Sequence, residues 1–276
     1  KTSKAYNVIG PTDFAMLRNT SASRVNSSSL IEVQGSNIMR IDYTSGTPII
    51  LDEPQDTNNS NFSEDLTNSF YSKTNLSVSV VSEINPRGVL SSNKLIPSNV
   101  ANQHFIQINT NKKVISVFAK ANGYSTVILF FTVHNSHVIF NSSTGAILAT
   151  SGSVTGKTEA LANGYFRFSA ITTLDTHLES RAYVVNGTTF ADRTIAGNGV
   201  DGVNIFGHQT SDILTSYIPS LGAAATTRNA DVITVAPPAG TVKITTTFSN
   251  NTTQVITSIP ATFTVPEGLI KQVLMQ

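Results

Sequence analysis

The sequence predicts an all-β chain organised as an antiparallel β-sandwich, with the jelly roll as its expected form. Three observations carry that expectation. Short runs of alternating apolar and polar residues recur from Asn75 to Pro219, at the length and spacing of sandwich strands. Turn signals separate them, including Asn122-Gly123, Thr144-Gly145, Asn163-Gly164 and Asn186-Gly187, and Asn-Gly supplies the positive φ of tight hairpins. Charged residues make up only 13% of the chain, so the surface must be polar through Ser, Thr and Asn. Those side chains compete for helical backbone groups and favour strands and turns.

Taken in order, residues 1–54 read as an N-terminal arm or adaptor with short candidate strands at Ser29–Val33 and Asn37–Tyr43. Each alternates and is bounded by Gly or Ser clusters. Asp52 to Asn61 reads as a polar linker, and Ser63-Glu-Asp-Leu66 as one helical turn capped by Ser63. The sandwich is expected over residues 55–230. Its clearest strands lie near Gln103–Asn109, Lys113–Lys120, Ser125–His134, Gly164–Thr172, Leu178–Val185 and Val203–Gly207. Pro237-Pro238 then marks a hinge, and residues 231–276 read as a small β-meander too short for a large core of its own.

Periodicity assigns faces to two of these strands. Phe166, Phe168 and Ala170 share one face, and Tyr165, Arg167 and Ser169 the other; Ala182 and Val184 oppose Arg181, Tyr183 and Val185. If both strands lie in one sheet, its outer face carries Tyr165, Arg167, Arg181 and Tyr183. Aromatic rings and guanidinium forks suit flat polar ligands such as sugars, and these four are the candidate binding residues. The alternative is an ordinary solvated face. His208 and Gln209, at the end of the closing strand, are candidate rim contacts.

Composition excludes several chemistries. The chain has no Cys, so thiol catalysis, disulfides and thiolate metal sites are absent. A formal net charge of +1 offers no footprint for nucleic acid. The most apolar run, residues 125–131, is far short of the ~20 residues of a membrane helix, so no membrane insertion is expected. Residues 152–158, Gly-Ser-Val-Thr-Gly-Lys-Thr, have three residues between the glycines where a phosphate loop needs four. Of the five histidines, His104, His134, His137, His177 and His208, only His134 and His137 are close together, and they read as a hairpin turn. No catalytic constellation and no cofactor are expected. Asp175, Glu179, Asp192 and Asp201 are the carboxylates available to a glycosidase pair, and no spacing singles two of them out. Asp192, Asn198 and Asp201 surround a Gly-rich loop and are weak calcium candidates; turn Asp and Asn more commonly cap backbone groups.

Phe206-Gly-His-Gln209, Thr215-Ser-Tyr-Ile-Pro219 and Thr227-Arg-Asn-Ala-Asp231 follow one another in an order that resembles a module of tailed-phage and prophage virion surface proteins of the tail-fibre and LamG-like kind. Arg40-Ile-Asp-Tyr43, Leu51-Asp-Glu-Pro-Gln55 and Val117-Phe-Ala-Lys-Ala121 are similar to upstream parts of that module, and Ile259–Gly268 to C-terminal pieces in phages of Bacteroidetes hosts. The resemblance implies a concanavalin-like or jelly-roll sandwich on the virion surface, a spike or tail-fibre subunit facing the host. It also implies copies of itself (a trimer or higher homo-oligomer), other virion proteins and a host cell-surface glycan as partners. One departure stands out: the family's closing strand carries a Trp where this chain has Phe206, and the chain has no Trp at all. If that ring stacks on sugar in relatives, binding here is weaker or elsewhere; if it is core, Phe fills the role at modest cost.

Overall fold

Alternation along the strands becomes the two faces of a sandwich in the computed structural model, which describes the backbone of residues 4–7 and the whole of residues 14–175 and 179–276. The chain divides into two units, Thr57–Thr226 and a second one made of Lys1–Asp56 with Thr227–Gln276.

Among the described residues, the first unit contains two six-stranded antiparallel sheets. One runs, by neighbour, through Val154–Ala160, Phe166–Thr172, Val114–Asn122, Gly202–Ser211, Leu90–Pro97 and Leu76–Ile84. The other runs through Ile147–Ser151, Ser136–Asn141, Thr126–Phe131, Glu179–Val185, Phe105–Asn109 and Ser72–Thr74. Take the inner four of each sheet, Leu90–Pro97 to Gly202–Ser211, and number them one to eight along the chain. The neighbours are then 1-8-3-6 and 2-7-4-5, the two Greek keys of a jelly roll. The expected all-β sandwich is therefore the architecture found.

The core lies between the sheets and is built by period-two alternation: Ile106 and Ile108, Ile115 and Val117, Val127, Leu129 and Phe131, Phe168 and Ala170, Ala182 and Val184, Val203 and Ile205 are all buried there. The Asn163-Gly164 turn has both residues at positive φ, 61° and 75°, as the sequence suggests for the hairpin leading into Phe166–Thr172. Ser63-Glu-Asp-Leu66 departs from expectation: it forms a turn, not a helical turn, and Ser63 is buried with its hydroxyl on Tyr217 Oη at 2.7 Å.

The outer face of the first sheet is roofed by residues 215–220. Tyr217 sets its ring edge-on to Phe118 at 5.3 Å and lies 6.1 Å from Phe206. Ile218 N donates to Gln209 Oε1 at 2.8 Å, and Asn58 Nδ2 donates to Ile218 O at 2.8 Å. Phe206, where the resembled family has Trp, is thus a packed residue beneath this roof, 2% exposed. Gly207 sits at positive φ, 62°, beside a register shift opposite Ser116 and Phe118, and a Cβ there would stand 2.8 Å from the Phe118 ring. Gly207→Ala is expected to cost about 2–3 kcal/mol in urea denaturation, from a strained backbone and a ring that must move.

The stretch from Asp52 to Asn61 is not the solvated linker its polarity suggests. Asn58 and Ser60 are fully buried. Asn58 Oδ1 accepts from Ser60 N and Thr210 N, so the polar groups replace missing backbone partners inside the sandwich.

In the second unit the expected N-terminal arm and C-terminal meander are one structure. Gly268–Met275 pairs with Ile244–Phe248 on one side and with Lys4–Asn7 and Ile49–Asp52 on the other. Phe14–Leu17 pairs with Val232–Val235. Neither segment holds a core alone, and Ile50, Ile233, Ile244 and Ile270 close one together. Beside this core lies an ionic cluster of Arg18, Arg40 and Arg228, each at most 1% exposed, around Asp231 and Glu53. Asp231 Oδ1 accepts from Arg18 at 2.8 Å, and Oδ2 from Arg40 and from Glu53 N. The buried arginines also donate to main-chain carbonyls: Arg18 to Thr20, Gly35 and Ile38, Arg40 to Ser23, Arg228 to Pro54.

Candidate functional site

The outer face of the second sheet gathers the aromatic and guanidinium groups. Pairing of Phe105–Asn109 with Glu179–Val185 sets Phe105 beside Tyr183 and Gln107 beside Arg181. Thr126–Phe131, on the other side of Glu179–Val185, sets Phe130 beside Arg181. Alternation sends Ile106, Ile108, Ala182 and Val184 to the core, so Phe105, Gln107, Arg181 and Tyr183 lie on the other face, where Gln107 and Arg181 are partly exposed and Phe105 and Tyr183 are buried in a second apolar cluster with Phe130.

Arg181 is the centre of this face. Its guanidinium carbon lies 4.4 Å from the centroid of the Phe105 ring. Its Nε donates to Gln107 Oε1 at 2.8 Å, one terminal nitrogen to Glu179 Oε2 at 2.8 Å and the other to Tyr183 Oη at 3.3 Å. Tyr183 Oη in turn donates to Gln103 Oε1 at 2.9 Å. Burial lowers the pKa of the guanidinium, but the bonds to Tyr183 and Glu179 outweigh it and the net shift is upward. The Arg181 side chain keeps 24% of its surface in solvent, so a cation held rigid over a ring is presented outward with amides and a carboxylate around it. That arrangement suits a flat ligand edged with hydroxyl or carboxyl groups.

Phe190 closes the far side of the patch. It stacks on His137 with centroids 3.9 Å apart and planes 9° apart, and the Arg193 guanidinium lies 4.0 Å from its centroid. His137 is therefore a buried strand residue, not a turn residue as its spacing from His134 suggests; burial lowers its pKa, with a backbone bond at Asn135 acting the other way. His177 lies outside the described residues.

The single face expected for Tyr165, Arg167, Arg181 and Tyr183 does not exist. Their two strands belong to opposite sheets, so the two pairs point away from each other across the sandwich. Arg181 and Tyr183 remain in the patch just described. Tyr165 is fully buried and shares a hydrogen bond with Ser92 Oγ at 2.7 Å. Arg167 is buried under the 215–220 roof, donating to Thr215 O at 2.8 Å and Ser116 Oγ at 3.2 Å. His208 and Gln209 are not rim contacts either. His208 is 1% exposed, edge-on to Tyr71 at 5.4 Å with Nδ1 on Ser60 Oγ, and burial drops its pKa to about 4. Gln209 is fully buried and holds the roof through Ile218.

The calcium candidates are turn caps. Asp192 accepts from Thr188 N, Thr189 N and Thr189 Oγ1, and Asn198 accepts from Val200 N and Asp201 N while donating to Asp201 Oδ2 at 2.6 Å. Among the described residues no group of three or more His, Asp or Glu could hold a metal ion. The remaining glycosidase candidates also have local partners, Asp175 with Lys113 and Glu179 with Arg181.

Sequence reading missed Phe105, Gln107 and Gln103. The signal was present, since Ile106 and Ile108 alternate with Phe105, Gln107 and Asn109 within a strand the sequence does reveal. Phe190 carries no such signal, because it lies outside any alternating run. Fold and site together define a jelly-roll β-sandwich protein with an aromatic and guanidinium patch on one sheet face. No protein-family model and no curated protein matches the chain.

Proposed function

We propose that this chain is a virion surface protein of a bacteriophage, a spike or tail-fibre subunit whose sandwich attaches to a host cell-surface glycan through the Arg181 face. The observation that carries the attachment half is the partly exposed Arg181 guanidinium held over Phe105 and framed by Gln107, Glu179 and Tyr183. The virion half rests on the ordered motifs that resemble tail-fibre and LamG-like proteins. Single sugar sites are weak, and several copies on one particle turn weak contacts into firm attachment.

The test is binding of the chain, displayed in multivalent form, to a glycan array and to host cells, beside an Arg181→Ala variant. Binding is expected, and the variant is expected to lose about tenfold in affinity while melting within a few degrees of the parent, since the side chain is partly exposed. An array and cells that bind nothing would sink attachment and leave an architectural role. Binding that Arg181→Ala leaves untouched would move the site elsewhere on the sandwich.

A further inference from the structure

Where the chain passes from the second sheet to the first it lines an open groove of about 560 Å³, within the size range of small-molecule sites. Asn75 makes the passage at positive φ, 50°, between Ser72–Thr74 and Leu76–Ile84. Leu76 and Ile96 give the groove its apolar lining, and Ile96 points away from the core that buries its neighbour Leu95. Asn75, Ser77, Ser98, Asn99 and Asn198 supply the polar lining, and no described lining residue is charged. Lys94, further along the strand from Ile96, is turned to Asn122 Oδ1 at 3.1 Å.

The frame of the groove is tied down while several of its polar groups are left open. Asn75 donates Nδ2 to Gln103 O at 3.0 Å, and its carbonyl accepts from Ser98 N at 2.9 Å and bonds to His104 Nδ1. Among the described residues Asn75 Oδ1 has no partner. Asn198 caps its own loop on Val200 N and Asp201 N, and Gly199 N donates to Pro97 O at 3.1 Å, which fastens that loop to the strand. The exposed side chains of Ser77 and Asn99 also have no partner among the described residues, and the Ser98 hydroxyl is buried without one.

We infer that this groove is a binding site for a neutral saccharide. A sugar hydroxyl both donates and accepts, which matches the Asn75 acceptor, the Asn99 amide and the Ser77 hydroxyl. An unpaired buried hydroxyl is costly, and a sugar oxygen gives Ser98 the partner it lacks. The C–H face of a pyranose ring covers Leu76 and Ile96. A carboxylate or sulfate would lose hydration against a lining that offers it no cation. The groove shares no lining residue with the Arg181 face, so the inference is independent of that site. A fixed frame keeps the ordering cost low, and a single open site of this kind is expected to bind with a dissociation constant of about 1 mM.

The test is an amide NMR titration of the chain with maltotriose, mannotriose, chitotriose and galactotriose, each to about 20 mM, with trigalacturonate as the acidic counterpart. At least one neutral trisaccharide should shift the amides of Asn75–Ser77, Ser98–Asn99 and Asn198–Gly199 to saturation, and trigalacturonate should bind more weakly. Asn99→Ala removes an exposed amide and should lower affinity about fivefold with melting unchanged. Ser98→Ala removes an unpaired hydroxyl, so it should lower affinity similarly while the free chain is no less stable. Arg181→Ala should leave the shifts as they are. A fall in affinity in either groove variant places the sugar in the groove. The inference is overturned if no trisaccharide gives saturating shifts at these amides, or if trigalacturonate binds best. It is equally overturned by affinity unchanged in both groove variants, or by shifts that vanish in Arg181→Ala.

Discussion

Asp231→Asn is expected to destabilise the second unit by about 4 kcal/mol or more. The carboxylate receives Arg18, Arg40 and the Glu53 main-chain N–H, all in a place without solvent. Three guanidiniums stand against Asp231 and Glu53, so the cluster already carries more positive than negative charge. Removing Asp231's charge leaves Glu53 with Arg40 and Arg228, and takes from Arg18 its carboxylate, though none of the three arginines can lose its proton or reach water. The amide keeps the shape, so the loss is electrostatic and the bonds it can still accept recover little of it. In a unit of this size such a change corresponds to about 20 °C in Tm. Hydrogen exchange should accelerate across Arg40–Asp42 and Val232–Val235. A change under about 1 kcal/mol would show that the arginines find other partners and that the cluster is not held by Asp231.

That result would also give physical content to the motif order on which the family resemblance rests. Arg228 and Asp231 of Thr227-Arg-Asn-Ala-Asp231, Arg40 of Arg40-Ile-Asp-Tyr43 and Glu53 of Leu51-Asp-Glu-Pro-Gln55 meet in this one buried cluster. Gln209 and Tyr217 of the other two motifs build the roof over the first sheet. These motifs mark how the chain packs, and the proposed ligand face lies on different residues.

Why the fold was legible and the face was not follows from the range of each signal. Alternation is local: Phe168 with Ala170, and Ala182 with Val184, declare an inner side within three residues, and the structure buries them there. Alternation does not say which sheet a strand joins. In a jelly roll the chain crosses between sheets, so Arg167 and Arg181 point outward in opposite directions although their strands are successive. Nor does it say which outer face is covered. Residues 215–220 roof the first sheet and bury Arg167, which no pattern around Arg167 reveals. The buried polar clusters are further still from view, since Arg18 and Asp231 are 213 positions apart and each, read alone, is an ordinary surface residue. The Asp52–Asn61 stretch misleads for the same reason, because Asn58 within it is satisfied by distant partners inside the protein.

Asp52 supplies the second large effect, and its sign turns on one question. The side chain is 1% exposed and, among the described residues, both carboxylate oxygens lack a hydrogen-bond partner. Burial, with Asp231, Glu267 and Glu53 on the same side, pushes its pKa from 3.8 up to about 7, while Arg40 alone pulls the other way. The folded chain therefore holds a proton on Asp52 that the unfolded chain releases near pH 4. Stability from this group is complete below about pH 4, falls as pH rises toward 7, and stays at its lower value above. A shift of that size is worth at most about 4 kcal/mol. Asp52→Asn cannot ionise, so it should flatten this part of the profile and stabilise the unit by about 2 kcal/mol at pH 8, with little change at pH 4. The excess of arginine in the neighbouring cluster argues for the opposite sign: if its field reached Asp52, the carboxylate would be ionised and helpful, and the amide would weaken the unit at pH 8. Only Arg40 of the three arginines acts on Asp52, and the nearby acids outnumber it, so stabilisation is the expected outcome. Urea denaturation of both proteins at pH 4, 6 and 8 separates the two, and a less stable Asp52→Asn at pH 8 would reverse the assignment.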